Sequence, residues 1–321
     1  MVTRLARTLI GVVAVCGLLA STACQSGGES DQKAVPAAIP QAEVLGAVRA
    51  ATTLSVLPSS ITSARLQAAG KDSGGWAVKD CNPDLGETKL DDLRPCTIGD
   101  VDGARTMVLV GDVGAAQWHG AMDLIGKRTG WRVIMLVKNN CGPAAMQYYQ
   151  WQLKREFREC DAWQKWRTRM IQQEKAEIVV MAGWYGENLG PDRETTPEIW
   201  RDALVESVDG YPAAAKIFMF GNPPHPPVDD PVACLEKNRN DLTKCSYPAS
   251  RVLPDQSGWK SAAKSVGGTY IDVDSWFCHK TCPSVIADRI VYARDKHHID
   301  VDYGRYLSGA IQEVMEPALV G

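Results

Sequence analysis

Short apolar runs alternate with longer amphipathic ones over most of the chain. Thr106-Met-Val-Leu-Val110, Trp131-Arg-Val-Ile-Met-Leu-Val137, Glu177-Ile-Val-Val-Met-Ala182, Lys216-Ile-Phe-Met-Phe220 and Thr269 to Val273 are five such runs, most ending near Gly, Asn or Asp. Runs of this length, apolar at nearly every position and rich in β-branched residues, predict strands buried on both faces. Between them, apolar positions recur at helical spacing over 41–56 (ended by Pro58), 115–125, 144–174, 197–208, 256–266 and 301–315. Residues 57–100 and 223–250 read as loop, rich in Gly, Pro, Asp and Cys. Strands alternating with helices predict a three-layer α/β/α sandwich around a central, mostly parallel sheet. Reactive groups then belong at the carboxyl ends of the strands: 111–118, 138–143, 183–186, 221–227 and 294–299.

The N-terminus breaks this rhythm. Arg4 and Arg7 precede the apolar run Leu9–Ala20, which at 12 residues is too short to span a bilayer and fits the core of a secretory leader. Ser21-Thr22-Ala23-Cys24, followed by a Gly/Ser stretch, resembles the lipobox of a bacterial lipoprotein, in which Cys24 carries the lipid. The competing reading is plain secretion, with cleavage after Ala23 and Cys24 left as a free thiol. The expected organisation is a signal peptide over 1–23, a tether over 24–40, an N-terminal helix and loop extension over 41–100, and the α/β domain over 101–321. The exported chain would sit on the outer face of the cytoplasmic membrane, held by a lipid anchor only.

Export gives the cysteines a meaning. Apart from Cys16 and Cys24 there are eight, an even number in an oxidising compartment, which argues for four disulfides. Sequence proximity suggests Cys81–Cys96, Cys141–Cys160, Cys234–Cys245 and Cys278–Cys282. A metal alternative, Cys278 and Cys282 with His297 or His298, lacks a second close Cys/His pair, so no metal is expected. Composition adds exclusions. The chain has 35 Lys+Arg against 38 Asp+Glu, so no basic excess points to nucleic acid. No P-loop, G-x-G-x-x-G or H-E-x-x-H motif occurs, and no cofactor is expected.

The strand-turn-helix Val108-Leu-Val-Gly-Asp-Val-Gly-Ala-Ala-Gln-Trp118 resembles block I of the SGNH hydrolase superfamily. It is most similar to the SGNH domain fused to, or found beside, membrane acyltransferases of the acyltransferase-3 type, where the run is typically G-D-S-H-A-x-Q-W. Tyr292-Ala-Arg-Asp-Lys-His-His-Ile299 resembles the family's Y-x-D-x-x-H-L block. Lys138–Cys141, Val179–Trp184, Asp229–Cys234 through Cys245, and Tyr270–Cys278 resemble further segments in the family's order. The resemblance runs from about residue 44 to about 316.

What it implies is acyl-transfer chemistry. A serine at the end of the first strand attacks an ester carbonyl, His298 takes its proton, and Asp295 orients the imidazole. Backbone N–H groups at the start of the next helix stabilise the oxyanion. Gly111, Asp112, Gly114, Trp118 and Trp184 would complete the binding surface, the two tryptophans either stacking on a sugar or serving as core anchors. Yet the serine position is Val113 and the usual histidine is Gly114, and no Ser or Thr lies between Gly111 and Met122. Asp112 holds the turn in such domains, and Asn222 lies on the wrong strand end to supply the superfamily's asparagine. After the histidine block the family commonly has Ser or Thr, where this chain has Asp300.

The expectation is therefore a degenerate SGNH domain of the cell envelope that binds a glycan or acylated ligand, or supports a membrane acyltransferase, without forming an acyl-enzyme. The alternative is an active esterase or O-acetyltransferase using Asp295 and His298. Trp151, Trp163 and Trp166 share a basic stretch that reads as a solvated helix face or, alternatively, as a surface for anionic lipid or glycan. His225 sits in a Pro-rich loop that reaches toward the cleft.

Overall fold

Burial follows the apolar runs closely. In the computed structural model, which describes residues 34–72, 81–186, 189–191 and 193–320, six strands form one sheet. They are β1 (Thr97–Gly99), β2 (Arg105–Gly111), β3 (Trp131–Val137), β6 (Ile178–Ala182), β7 (Lys216–Phe220) and β9 (Thr269–Ile271), in the order β1-β3-β2-β6-β7-β9. All neighbours are parallel except β1, which runs antiparallel to β3. Signal peptide, Cys24 and most of the tether lie outside the described residues.

Alternate residues of each strand feed two cores. Met107, Leu109, Val133, Met135 and Val180 face a layer built from α1 (Gln41–Ala51), α4 (His119–Thr129), α11 (Val301–Tyr306) and α12 (Ser308–Leu319). Val108, Val110, Ile134, Val179 and Met219 face α5 (Arg158–Gln173), α6 (Pro197–Asp209) and α9 (Ser257–Ser265), with Trp163, Trp200 and Trp259 fully buried there. This is the three-layer sandwich expected from the alternation. A satellite cluster under the loops joins α2 (Ser63–Ala69) to α7 (Pro231–Lys237). Two further short helices, α8 (Ala249–Val252) and α10 (Asp274–Phe277), pack at the loop ends. Among the described residues no helix is long and apolar enough to cross a membrane.

Four disulfides form with the neighbour pairing: Cys81–Cys96, Cys141–Cys160, Cys234–Cys245 and Cys278–Cys282. They staple loop segments to the sandwich. The last pair leaves no thiolates for a metal, and no group of three metal-ligating side chains occurs among the described residues.

Several elements differ from the sequence reading, among them β1, α2 and α7, which form inside stretches read as loop. Residues 144–174 are not one helix: a ribbon of β4 (Tyr149–Gln150) and β5 (Arg155–Glu156) precedes α5. The Cys141–Cys160 bond and the buried Arg167, whose guanidinium donates to the carbonyls of Gly142 (3.1 Å) and Pro143 (3.1 Å), fold that segment back. Trp163 and Trp166 therefore enter the core, and only Trp151 is exposed, at 51%. The 115–125 helix is broken into α3 (Val113–Ala116) and α4, because the Gln117 side chain bonds across the chain rather than outward. The last helix is likewise two, α11 and α12. Two more ribbons, β8 (Ser246–Pro248) with β10 (Thr281–Pro283) and β11 (Val285–Ile286) with β12 (Arg289–Ile290), edge the loops.

Candidate active site

The end of β2 is forced by sterics. Gly111 has φ 149°, and a Cβ there would meet the carbonyl oxygen of Ala182 on the neighbouring strand at 1.8 Å. Only glycine lets β2 and β6 finish this close together. Asp112 then caps α3. Its Oδ1 accepts from the Gly114 N–H at 2.8 Å and its Oδ2 from the Trp184 N–H at 3.3 Å. One buried carboxylate thus ties the turn after β2 to the turn after β6, so Asp112 holds the site together rather than reacting.

Val113 opens α3 at 9% exposure. In this turn the Gly114 N–H donates to Asp112 Oδ1 and the Ala115 and Ala116 N–H groups to the Asp112 carbonyl, so the Val113 N–H is the amide here that an oxyanion would meet. Gly114 follows with little room to spare. A Cβ there would lie 3.0 Å from Asp112 Oδ1 and 3.1 Å from the Trp184 ring. The indole of Trp184 occupies the space that a larger residue at 114 would enter.

Asp295 and His298 come from the loop after β12 and meet as their spacing suggested. Nδ1 of His298 lies 2.7 Å from Asp295 Oδ1, and the imidazole is 7% exposed. That carboxylate also accepts from the His297 N–H at 2.9 Å. Burial pushes the Asp295 carboxyl upward, but the bond and charge of His298, with the His297 amide, outweigh it and hold the group well below the usual carboxylate range. An ionised Asp295 fixes Nδ1 as the protonated nitrogen and makes Nε2 the basic one.

Two residues join this pair to the Val113 turn. Trp184 contacts the Gly114 backbone region on one side and faces His298 on the other, with ring centroids 6.3 Å apart at 90°. Gln117, buried at the break between α3 and α4, donates to the Gly114 carbonyl (3.0 Å) and accepts from the Ile299 N–H (3.1 Å). Sequence pattern did not assign Gln117 this clamp. Its signal was the glutamine of the block I motif, whose partner lies at the other end of the chain.

Other candidates are placed as follows. Trp118 is 1% exposed and packs on Phe220 at 4.8 Å, so it offers no face to a ligand, and its expected binding role is corrected to a core anchor. Trp276 is also core. Asn222 spends its side chain on the Gly183 carbonyl (2.6 Å) and the Trp259 indole N–H (3.0 Å), away from any oxyanion position. Lys138 is buried, with its ammonium donating to the Asp84 carbonyl at 2.6 Å, and burial pulls its pKa down to about 8. It braces the loop of the Cys81–Cys96 bond.

His225 and His297 join the site from outside the motif pair. Their rings are 5.1 Å apart, and both lie edge-on to Trp184. Burial, then the neighbouring His297, Lys296 and His298, push His225 down to about 4, so it is neutral at pH 7.

Comparison with known proteins identifies the family and the fold. The family model described as SGNH domain (fused to AT3 domains) matches residues 80–313. The periplasmic domain of a lipopolysaccharide acetyltransferase from Salmonella ser. Paratyphi A superposes with a TM-score of 0.57 at 14% identity, over 82% of this chain and 100% of that one. A carbohydrate acetylesterase family member from Sinorhizobium meliloti aligns at 12% identity, over 68% of this chain and 100% of that one, with a TM-score of 0.37. No curated protein sequence matches.

Proposed function

This chain belongs to the SGNH domains of the type fused to AT3 domains, and from that membership we propose an exported cell-envelope protein that binds a glycan or acylated ligand, or supports a membrane acyltransferase, without forming an acyl-enzyme. The observation that carries this reading is Val113. It occupies the nucleophile's position on the turn after β2, while the frame around it is kept: Gly111, the Asp112 cap, the Gln117 clamp and the Asp295–His298 pair. A valine has no lone pair to attack a carbonyl, and loss of the nucleophile from such a site removes several orders of magnitude of rate. Four disulfides support an oxidising compartment, and the leader with Cys24 supports a lipid-anchored position at the membrane.

The test is Val113→Ser assayed on a small chromogenic acetyl ester. The new hydroxyl would attack the carbonyl carbon, its proton passing to His298 Nε2 while Asp295 holds Nδ1. The tetrahedral oxyanion would face the backbone N–H of residue 113. Collapse of that intermediate would expel the phenolate and leave an acetyl-serine that water hydrolyses. Hydrolysis rising at least ~10-fold above the parent, and lost again with His298→Ala, is the expected result. No gain would refute the view that only the nucleophile is missing. The single substitution is preferred to one that also places histidine at 114, because Trp184 already fills that space.

The 2.7 Å Asp295–His298 pair favours a second reading, an esterase or O-acetyltransferase in which His298 activates water or a hydroxyl directly. Parent activity above that of its own His298→Ala variant would establish it, and equal activities would remove it.

A further inference from the structure

Beyond the site, the rim at the carboxyl ends of the strands carries a surface that the acyl chemistry does not use. Among the described residues Trp151 is the one exposed Trp, Tyr or Phe, standing at the tip of the β4–β5 ribbon. Its ring meets Tyr149 edge-on at 4.9 Å. Tyr149 in turn lies against Gly190, where a Cβ would come within 3.1 Å of it. Beside the neighbouring Leu189 lies an open depression of about 640 Å³ lined by Met146, the buried Leu189 and the exposed Ile199, with carboxylates at Glu194, Glu206 and Asp202, the last paired with Arg201. That volume is in the range of small-ligand sites.

Ribbon and cavity are braced as one surface. The Arg193 guanidinium donates to the Gln147 carbonyl (2.9 Å) and to its Oε1 (3.0 Å), and pairs with Glu156 on β5. Among the described residues the one cation lining the cavity is therefore committed to the frame. Pro143, three residues before Met146, packs against Gly183, which lies beside Asp112.

We propose that the Trp151 ribbon and the adjoining cavity form a subsite for an uncharged, hydroxyl-rich oligosaccharide, which they hold on the rim leading to Val113 and His298. A pyranose has an apolar face that suits an exposed indole, and hydroxyls that donate to carboxylates. The nearby guanidinium groups of Arg155, Arg193 and Arg201 are paired with Glu159, Glu156 and Asp202, which sets Lys154 at the ribbon tip against Glu194 and Glu206. These carboxylates accept hydrogen bonds and repel anions, so uronic acid and phosphate-bearing sugars are disfavoured. The subsite deepens the glycan-binding reading given above and rests on it.

The test is calorimetric titration of the exported chain with neutral hexasaccharides (linear glucan, mannan and galactan) and with hexagalacturonate, in parent, Trp151→Ala and Glu206→Lys forms. Both substitutions are at exposed positions, and unchanged melting temperatures would verify the fold. The expected result is binding of at least one neutral hexasaccharide. Trp151→Ala should weaken it about 2- to 12-fold, the range of an aromatic stacking contact, and Glu206→Lys should raise affinity for hexagalacturonate. Neutral sugar bound equally by all three forms overturns the subsite and leaves glycan binding standing. Preference of the parent for hexagalacturonate overturns the charge argument and with it the proposal. Absence of any sugar binding overturns the subsite and glycan binding together, and the Val113→Ser assay then decides the acyl-site reading independently. Capture of a protein partner through Trp151 without sugar binding assigns the ribbon to a protein interface and overturns the proposal.

Discussion

Asp300 follows the His298 loop at the position where the family commonly carries a hydroxyl, and its carboxyl is expected to cost stability at neutral pH. It caps α11 by accepting from the Asp302 N–H at 3.0 Å, at 8% exposure, and its neighbours include the carboxylates of Asp72 and Asp302. Burial, then the charges of Asp72 and Asp302, push it up to about 6 from 3.8, despite Arg65 nearby. Between these two values the folded state holds a proton that the unfolded state has released. Stability therefore falls as pH rises through the window from about 4 to about 6, and the full penalty persists above it. A rise of that size corresponds to about 3 kcal/mol. Asp300→Asn keeps the shape and a capping oxygen while removing the charge. It should raise unfolding stability by about 2–3 kcal/mol at pH 7.5 and by close to zero at pH 4. With a urea m-value near ~3 kcal/mol/M for a chain of this size, the midpoint gain is about 0.7–1 M at pH 7.5. Urea unfolding at pH 4, 5, 6 and 7.5, with fluorescence readout, measures it. A midpoint difference that stays constant across these pH values would refute the reasoning.

Two further outcomes follow from contacts around the site. Gln117→Ala strips partners from the Gly114 carbonyl and the Ile299 amide, so it should cost about 2–4 kcal/mol in chemical denaturation. Placed on Val113→Ser, it should also lower the kcat of the restored esterase. Unchanged stability would show that neither bond matters. Joint replacement of Cys141 and Cys160 by alanine opens a loop of 19 residues and should cost about 3 kcal/mol in the same measurement, whereas a change under ~1 kcal/mol would argue that Arg167 alone holds the segment.

The extent to which this molecule is legible in its sequence depends on how local each cause is. The strands β2, β3, β6 and β7 announce themselves because burial on both faces requires consecutive apolar residues. β1 did not, since Thr97-Ile98-Gly99 is too short to show a period and owes its place to pairing with β3. The β4–β5 ribbon was hidden in a stretch whose aromatic and basic residues keep helical spacing, and contacts made elsewhere by Cys160 and Arg167 decided against helix. The same distinction divides the site. Asp295 and His298 are three residues apart, so their meeting was readable. The clamp of Gln117 on Ile299 spans 182 positions, and the convergence of His225 and His297 on Trp184 joins three separate strand ends.

Retention of this frame around a valine follows from what each residue does for folding. Gly111 is required by the approach of β2 to β6, Asp112 by two buried amides, and Gln117 by a carbonyl and an amide that would otherwise be stranded. Val113 asks nothing of its neighbours, and an apolar side chain at this buried strand end is favourable on its own account. The fold therefore explains every member of the first block, including the valine. It does not explain the Asp295–His298 pair in the same way. Placing an ionised carboxylate and an imidazole in a largely buried loop carries a desolvation cost that such pairs recover incompletely, so stability is a weak reason for their presence. Locally, Asp295 also accepts the His297 amide and pairs with Arg294. If the pair is kept for ligand binding, the imidazole is the group that makes the contact. A His298→Gln substitution that leaves the melting temperature in place while weakening ligand retention is what that argument requires. Loss of stability without loss of binding would show the histidine to be structural after all.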